Sequence, residues 1–207
     1  MSATPQQAKQ QAPSEVPPPV TLRLRPVIDL TPDQLLEISS LNDDFRLELT
    51  SKGELIVMPP TGGETGDRCS EVNLQLRTWA KKDGTGIVFG SSVGFRLPNS
   101  ATLSPDASWM ARSRWETLSP EERRKFPPLC PDFVIELRSP SDRFSVVQRK
   151  MREWLDNGAQ LGWLIDPDNR RVHVYRPDTP VEQLNDPDSV SGDPVLPGFV
   201  LDLREIW

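Results

Sequence analysis

The segment Asp132 to Arg138 constrains this chain more than any other. It is too apolar for the edge of a sheet, yet it carries charge within it. Side chains of a strand alternate between its two faces. Phe133, Ile135 and Leu137 therefore share one face, and Asp132, Val134, Glu136 and Arg138 share the other. Burying a carboxylate costs several kcal/mol unless a cation, a metal or hydrogen bonds compensate it. An ion pair between Glu136 and Arg138 at the sheet rim would account for the strand taken alone.

The next helix offers another partner. It is expected from about Asp142 to Asn157, stopping at Gly158, with Val147, Met151, Trp154 and Leu155 as its apolar stripe. Lys150 lies within that stripe. A lysine so placed either snorkels to solvent or reaches a buried anion, and the short link from Glu136 lets its ammonium aim at that carboxylate. Methionine in place of Lys150 is expected to leave stability unchanged or slightly raised.

A second carboxylate comes from Asp106, at the start of a strand through Met110 and fixed in its approach by Pro105. If the two strands are neighbours, Asp106 and Glu136 converge. Two hard oxygen ligands in one cleft, with room for water, suit Mg²⁺, which would activate a water and stabilise charge on a phosphoryl oxygen. Lys150 would orient that water or neutralise the transition state. Glu71, on the polar flank of a long helix, could add a third carboxylate or lie solvated on the helix face.

Other segments set the class. Residues 1–21 read as a disordered tail, with Pro5, Pro13, Pro17, Pro18 and Pro19 among Gln and Ala. The domain then spans 22–207. Thr31-Pro32 opens a helix carrying Leu35, Leu36 and Ile38. Phe45–Leu49 and Glu54–Met58 form a hairpin about Gly53. A helix from about Thr65 to Lys82 buries Cys69, Val72, Leu76 and Trp79 and closes at Gly84. Strands follow near 87–89, 93–97, 161–165 and 172–175. Between residues 112 and 128 lies a polar insertion whose Ser119–Glu122 pattern marks a short capped helix. Strands and helices interleave, so the class is α/β or α+β with a mixed sheet.

Composition excludes several functions. The chain has 207 residues, with Cys69 and Cys130 its only cysteines and His173 its only histidine. A disulfide framework, a tetrahedral zinc site and a histidine-rich metal site are out, and a Ser-His-Asp triad is disfavoured. His173 is read as structural and both cysteines as small buried apolar residues. No apolar run approaches the roughly 18–20 residues of a membrane span, and the first residues lack the apolar core of a secretory signal. The expected location is cytoplasmic. The net charge of −6 does not favour general nucleic-acid binding, so any such contact needs local basic groups. Arg138, Arg143, Arg149, Lys150 and Arg152 form one such cluster. Arg112, Arg114, Arg123, Arg124 and Lys125 form another, in the insertion.

Pro105-Asp106, followed about thirty residues later by Glu136-Leu137-Arg138, resembles the PD-(D/E)XK nuclease motif. More specific are CPDFVIELRSPSD (130–142), Lys150-Met151 and NGAQLGWLIDP (157–167), with MPPTGG (58–63), GFRLP (94–98) and LPGFV (196–200). Together they resemble a family abundant in cyanobacteria, described as restriction-endonuclease-like and of unknown function. The resemblance runs from about Leu22 to Trp207. It implies a restriction-endonuclease-like core, a mixed sheet with a helix on each side, preceded here by the N-terminal helix and hairpin. It also implies a DNA endonuclease using Mg²⁺, with Mn²⁺ able to substitute. Asp106, Glu136 and the carbonyl of Leu137 would be its metal ligands, and Glu71 matches an acidic residue some members carry on the first core helix. Arg138 occupies the motif's lysine position and cannot act as a base; in this family the lysine is displaced to the next helix, which makes Lys150 the substitute. Arg138, Arg143, Arg149 and Arg152 would meet DNA, and cutting of two strands would suit a homodimer. Two rivals stand beside it: a catalytically silent nucleic-acid- or protein-binding module on the same fold, and a metal-dependent hydrolase of another phosphate substrate.

Overall fold

The protein, described here over residues 17–207 by a computed structural model, builds its site from two sheets. Strand β1 (Val20–Arg23) comes first, beginning two residues before the expected domain start at Leu22. The expectation of a tail over residues 1–16 lies outside the described residues. Thr31 then caps α1 (Pro32–Leu41) in a reciprocal capping box with Gln34. Strands β2 (Arg46–Leu49) and β3 (Glu54–Met58) form the expected antiparallel hairpin, with Gly53 at a φ of 78° in its turn. Helix α2 (Gly63–Asp83) stops at Gly84, whose left-handed φ of 74° lets its N–H reach the Ala80 carbonyl.

Strands β4 (Gly86–Gly90), β5 (Phe95–Arg96), β6 (Thr102–Leu103) and β7 (Ala107–Ala111) follow. The insertion holds two short helices, α3 (Arg112–Glu116) and α4 (Pro120–Arg124), the second capped by Ser119 and Glu122. Strand β8 (Phe133–Leu137), helix α5 (Phe144–Asp156) and strand β9 (Leu161–Asp166) come next, and then β10 (Arg171–Tyr175). The chain finishes with β11 (Glu182–Asn185), β12 (Ser189–Ser191) and β13 (Val200–Asp202).

The main sheet has six strands in the order β11-β10-β9-β8-β7-β4. Its one parallel pair is β8 and β9, with Phe133 opposite Leu161. Parallel neighbours need a crossover, and α5 is that crossover. A second sheet, ordered β1-β3-β2-β6-β5, lies beside it. The link from Ser104 to Asp106 carries the chain from β6 in the second sheet to β7 in the main one.

The parity expected for β8 holds. Phe133, Ile135 and Leu137 enter the cluster under α2, with Val72, Leu76 and Ala80. Val134 enters the cluster under α5, with Val147, Met151 and Trp154. The main sheet is thus mixed and flanked by a helix on each face. On β9, Gly162 faces α5: a Cβ there would lie 2.3 Å from the Met151 sulfur and 3.2 Å from Leu155 Cδ2. Helix α5 therefore sits close on the sheet because Gly162 has no side chain. No helix among the described residues is long and apolar enough to cross a membrane.

Candidate active site

Asp106 precedes β7 by one residue, beside Glu136 on β8. Its backbone N–H donates to the Ile135 carbonyl at 3.0 Å. Its Oδ2 accepts from the Leu137 N–H at 2.8 Å. Its Oδ1 accepts from Arg46 Nη1 at 3.1 Å. Glu136 is almost wholly buried. Its Oε1 accepts from the Trp154 indole N–H at 2.7 Å and lies 3.0 Å from Lys150 Nζ, while Oε2 lies 3.1 Å from the same ammonium. Lys150 comes off the sheet-facing side of α5, one turn before Trp154, so one helix delivers both donors.

Lys150 has two further acceptors. Its ammonium lies 2.9 Å from Glu48 Oε1 and 2.8 Å from the Ser104 carbonyl. Glu48 Oε1 also accepts from the Ser104 N–H at 3.0 Å. An ammonium has three donors, and Glu136, Glu48 and Ser104 use them. Arg46 and Glu48 are neighbours on one face of β2, so the second sheet contributes one cation and one carboxylate. Sequence reasoning missed both. The available signal was the same charged i, i+2 pattern as Glu136 and Arg138, on a strand that otherwise looks half-solvated.

The electrostatics are those of a crowded buried cluster. Burial pushes the Glu136 carboxyl above its ordinary value; Lys150 pulls it back, and the Asp106 and Glu48 carboxylates push it up again. Burial works against the Lys150 charge, but Glu136 and Glu48 outweigh it and hold the ammonium above its ordinary value. Arg46 is likewise held charged, with Asp106, Glu48 and Glu136 overcoming burial. Cys69 on α2 faces the same group, and burial, then Asp106, pushes its thiol up to about 12, so it is a protonated wall rather than a nucleophile. Asn73, one turn on, donates to the Asp106 carbonyl at 3.0 Å.

Several expected residues lie elsewhere. Glu71 does not join the cluster: its carboxylate accepts from Gln75 at 2.9 Å, and Gln75 binds the Asp202 backbone. At 3.6 residues per turn, Glu71 is about 200° around α2 from both Cys69 and Asn73, which are the positions that face the site. Arg138 does not pair with Glu136. Its Nη1 meets Asp166 at 3.0 and 3.1 Å, across the parallel β8–β9 register, and its Nε reaches the Asp142 carbonyl. Arg143, Arg149 and Arg152 are exposed around α5. In the insertion, Arg114 binds Asp132 and Lys125 joins Asp33 to Glu121. His173 is buried against Phe144, and burial lowers its pKa.

The donor set bears on whether a divalent cation fits. Among the described residues, no three Asp, Glu, His or Cys side chains converge as a cage for a metal ion. The Asp106 carboxylate is near enough to Glu136 for its charge to raise the Glu136 carboxyl, and each keeps acceptor capacity. A carboxylate has about four lone-pair sites; Asp106 uses one on each oxygen, and Glu136 Oε2 has the Lys150 contact alone. Two carboxylates with water completing the shell is the sparse hard-oxygen set that Mg²⁺ uses.

The model of the Uma2 family, described as a putative restriction endonuclease, matches residues 32–204. The solved structure of a putative nuclease belonging to DUF820, from Anabaena variabilis ATCC 29413, is similar at a TM-score of 0.66 and 26% identity. The match covers 77% of this chain and 88% of that one. No curated protein matches the chain. The match to the family spans most of the domain, including Arg46, Glu48, Asp106, Glu136 and Lys150, and the chain belongs to the Uma2 family.

Proposed function

We propose that this protein is a Mg²⁺-dependent DNA endonuclease of the PD-(D/E)XK type, hydrolysing phosphodiester bonds. The observation that carries the proposal is the contact of Lys150 with Glu136, 3.0 Å away, beside Asp106. It supplies from the following helix the cation that Arg138, engaged by Asp166, does not supply from the strand. The restriction-endonuclease description of the family and the nuclease-like structural neighbour support the same reading.

Asp106, Glu136 and the carbonyl of Leu137 would hold the cation. Bound there, Mg²⁺ would polarise a phosphoryl oxygen and lower the pKa of a water. The residues of the chain prepare that site. Lys150 and the Trp154 N–H fix the Glu136 carboxylate in one orientation. Lys150 also offsets the Glu136 and Glu48 charges, which would otherwise repel a phosphodiester. The Leu137 N–H and Arg46 fix Asp106 in the same way. Exposed Arg143, Arg149 and Arg152 would take phosphates of the DNA backbone.

Single-turnover nicking of plasmid DNA in Mg²⁺ or Mn²⁺ tests this. The wild-type chain should nick, and Asp106→Asn and Glu136→Gln, checked for folding, should not. No nicking by wild type under either metal, or undiminished nicking by both variants, sinks the proposal.

A further inference from the structure

We propose that Arg46 is the residue of this cluster that contacts a phosphate of the nucleic acid; the inference rests on the endonuclease reading above. Three observations carry it.

The first is donor supply. Lys150 has spent its three donors on Glu136, Glu48 and Ser104. Arg46 has five N–H groups. One meets Asp106 Oδ1 at 3.1 Å and another meets the weak acceptor Met58 Sδ at 3.4 Å. Its Nε–H and remaining Nη hydrogens have no partner among the described residues.

The second is access. The Arg46 side chain is 32% exposed, against 16% for Lys150, 5% for Glu136 and 3% for Glu48. Of the cluster's two cations, Arg46 is the one whose side chain is the more exposed. Its guanidinium is also the planar fork whose donors match two phosphate oxygens at once, which an ammonium cannot do.

The third is charge balance. Glu48, Asp106 and Glu136 against Arg46 and Lys150 leave one negative charge in excess. A divalent cation held by Asp106 and Glu136 would turn the cluster positive. The Arg46 donors left unused by Asp106 would then sit beside that charge, where a phosphodiester can be held at two points.

The test is binding of a labelled DNA duplex by the full chain, read by fluorescence anisotropy over a range of salt, with Ca²⁺ in place of Mg²⁺ to hold off cleavage. Arg46→Met should bind about tenfold more weakly and lose about one unit of salt slope, as expected for one phosphate contact. Arg46→Lys should keep the slope but bind more weakly, because the charge remains and the fork is gone. Mn²⁺ affinity, measured by calorimetry on the same variants, should change by less than the DNA affinity does, since Arg46 also orients Asp106. Wild-type DNA affinity and slope in folded Arg46→Met would make Arg46 a counter-ion of Asp106 alone and overturn the proposal. So would a fall in Mn²⁺ affinity that accounts for the lost DNA binding. Should Arg46→Met not fold, wild-type DNA affinity in Arg46→Lys overturns it equally. Failure of the endonuclease reading appears instead in the wild-type chain, as absence of duplex binding, and takes the Arg46 contact with it.

Discussion

Glu48 and Glu136 belong to different sheets, yet both carboxylates accept from one ammonium, that of Lys150, at 2.9 and 3.0 Å. The cluster is therefore a joint between the two sheets as well as a candidate site. Removing one partner of a buried ion pair leaves an uncompensated charge, and here Lys150 touches two buried carboxylates at once.

Lys150→Met should consequently destabilise the fold by about 3–5 kcal/mol near neutral pH. This reverses the expectation drawn from the apolar stripe alone, which saw only the packing of the helix. The loss should shrink as the pH falls. Glu136 holds its proton to higher pH folded than unfolded, so its contribution to stability is greatest at acid pH and declines as pH rises through the folded value. Without Lys150 that folded value rises further, and a protonated Glu136 needs no cation. Denaturant unfolding of wild type and variant across the acid range checks this, and a gap independent of pH would count against it.

Glu48→Gln keeps an acceptor for the Ser104 N–H and removes the charge seen by Lys150. A double-mutant cycle with Lys150→Met should give a coupling of about 1–3 kcal/mol, since contacting charged groups do not behave additively. Coupling near zero would mean that the Glu48–Lys150 pair does not help to join the two sheets.

Arg138→Met should act on stability more than on DNA. It strands the Asp166 carboxylate, 5% exposed, with Asn169 as its remaining side-chain partner. A loss of about 1–3 kcal/mol is expected, with the salt dependence of DNA binding close to wild type because the guanidinium is already engaged. A clear drop in salt slope at full stability would reassign Arg138 to the DNA surface.

Beginning the chain at Val20 should leave the unfolding midpoint where it is. Beginning it at Leu24 removes β1 and uncovers β3, whose Leu55 and Val57 pair with Leu22 and Val20. Because Val20 and Leu22 are half-exposed, the loss should be modest, about 1–2 kcal/mol, or roughly 2–8 °C for a chain of this size. Equal midpoints for both truncations would show that β1 adds nothing to the sheet.

Local chemistry made much of this architecture legible. Thr31, Ser119 and Gly84 announce helix ends because capping is decided within a few residues. The period-two parity of β8 sorted Ile135 from Glu136, and the period of α5 put Lys150 toward the sheet. What was not legible depends on contacts distant in sequence. Arg46 and Glu48 look like the wet face of a hairpin until the Ser104–Asp106 link brings the main sheet against them. Glu71 and Asn73 are equally polar, and only the rotational setting of α2 decides which one faces Asp106. Strands of two to four residues, such as β6 and β12, carry too few side chains to form a periodic pattern.

Gly162 carries no functional group, yet it governs how far α5 stands from the sheet. Lys150 and Trp154 both descend from that helix, while Glu136 and Glu48 are fixed to strands. Adding one methyl group at Gly162 would press on the fully buried Met151 and on Leu155. It would lengthen the Lys150 and Trp154 contacts together, leaving every charge in place. The reach of the helix over the sheet is thus a mechanical dimension of the site, one that can be detuned by volume alone, from a residue that has no side chain of its own.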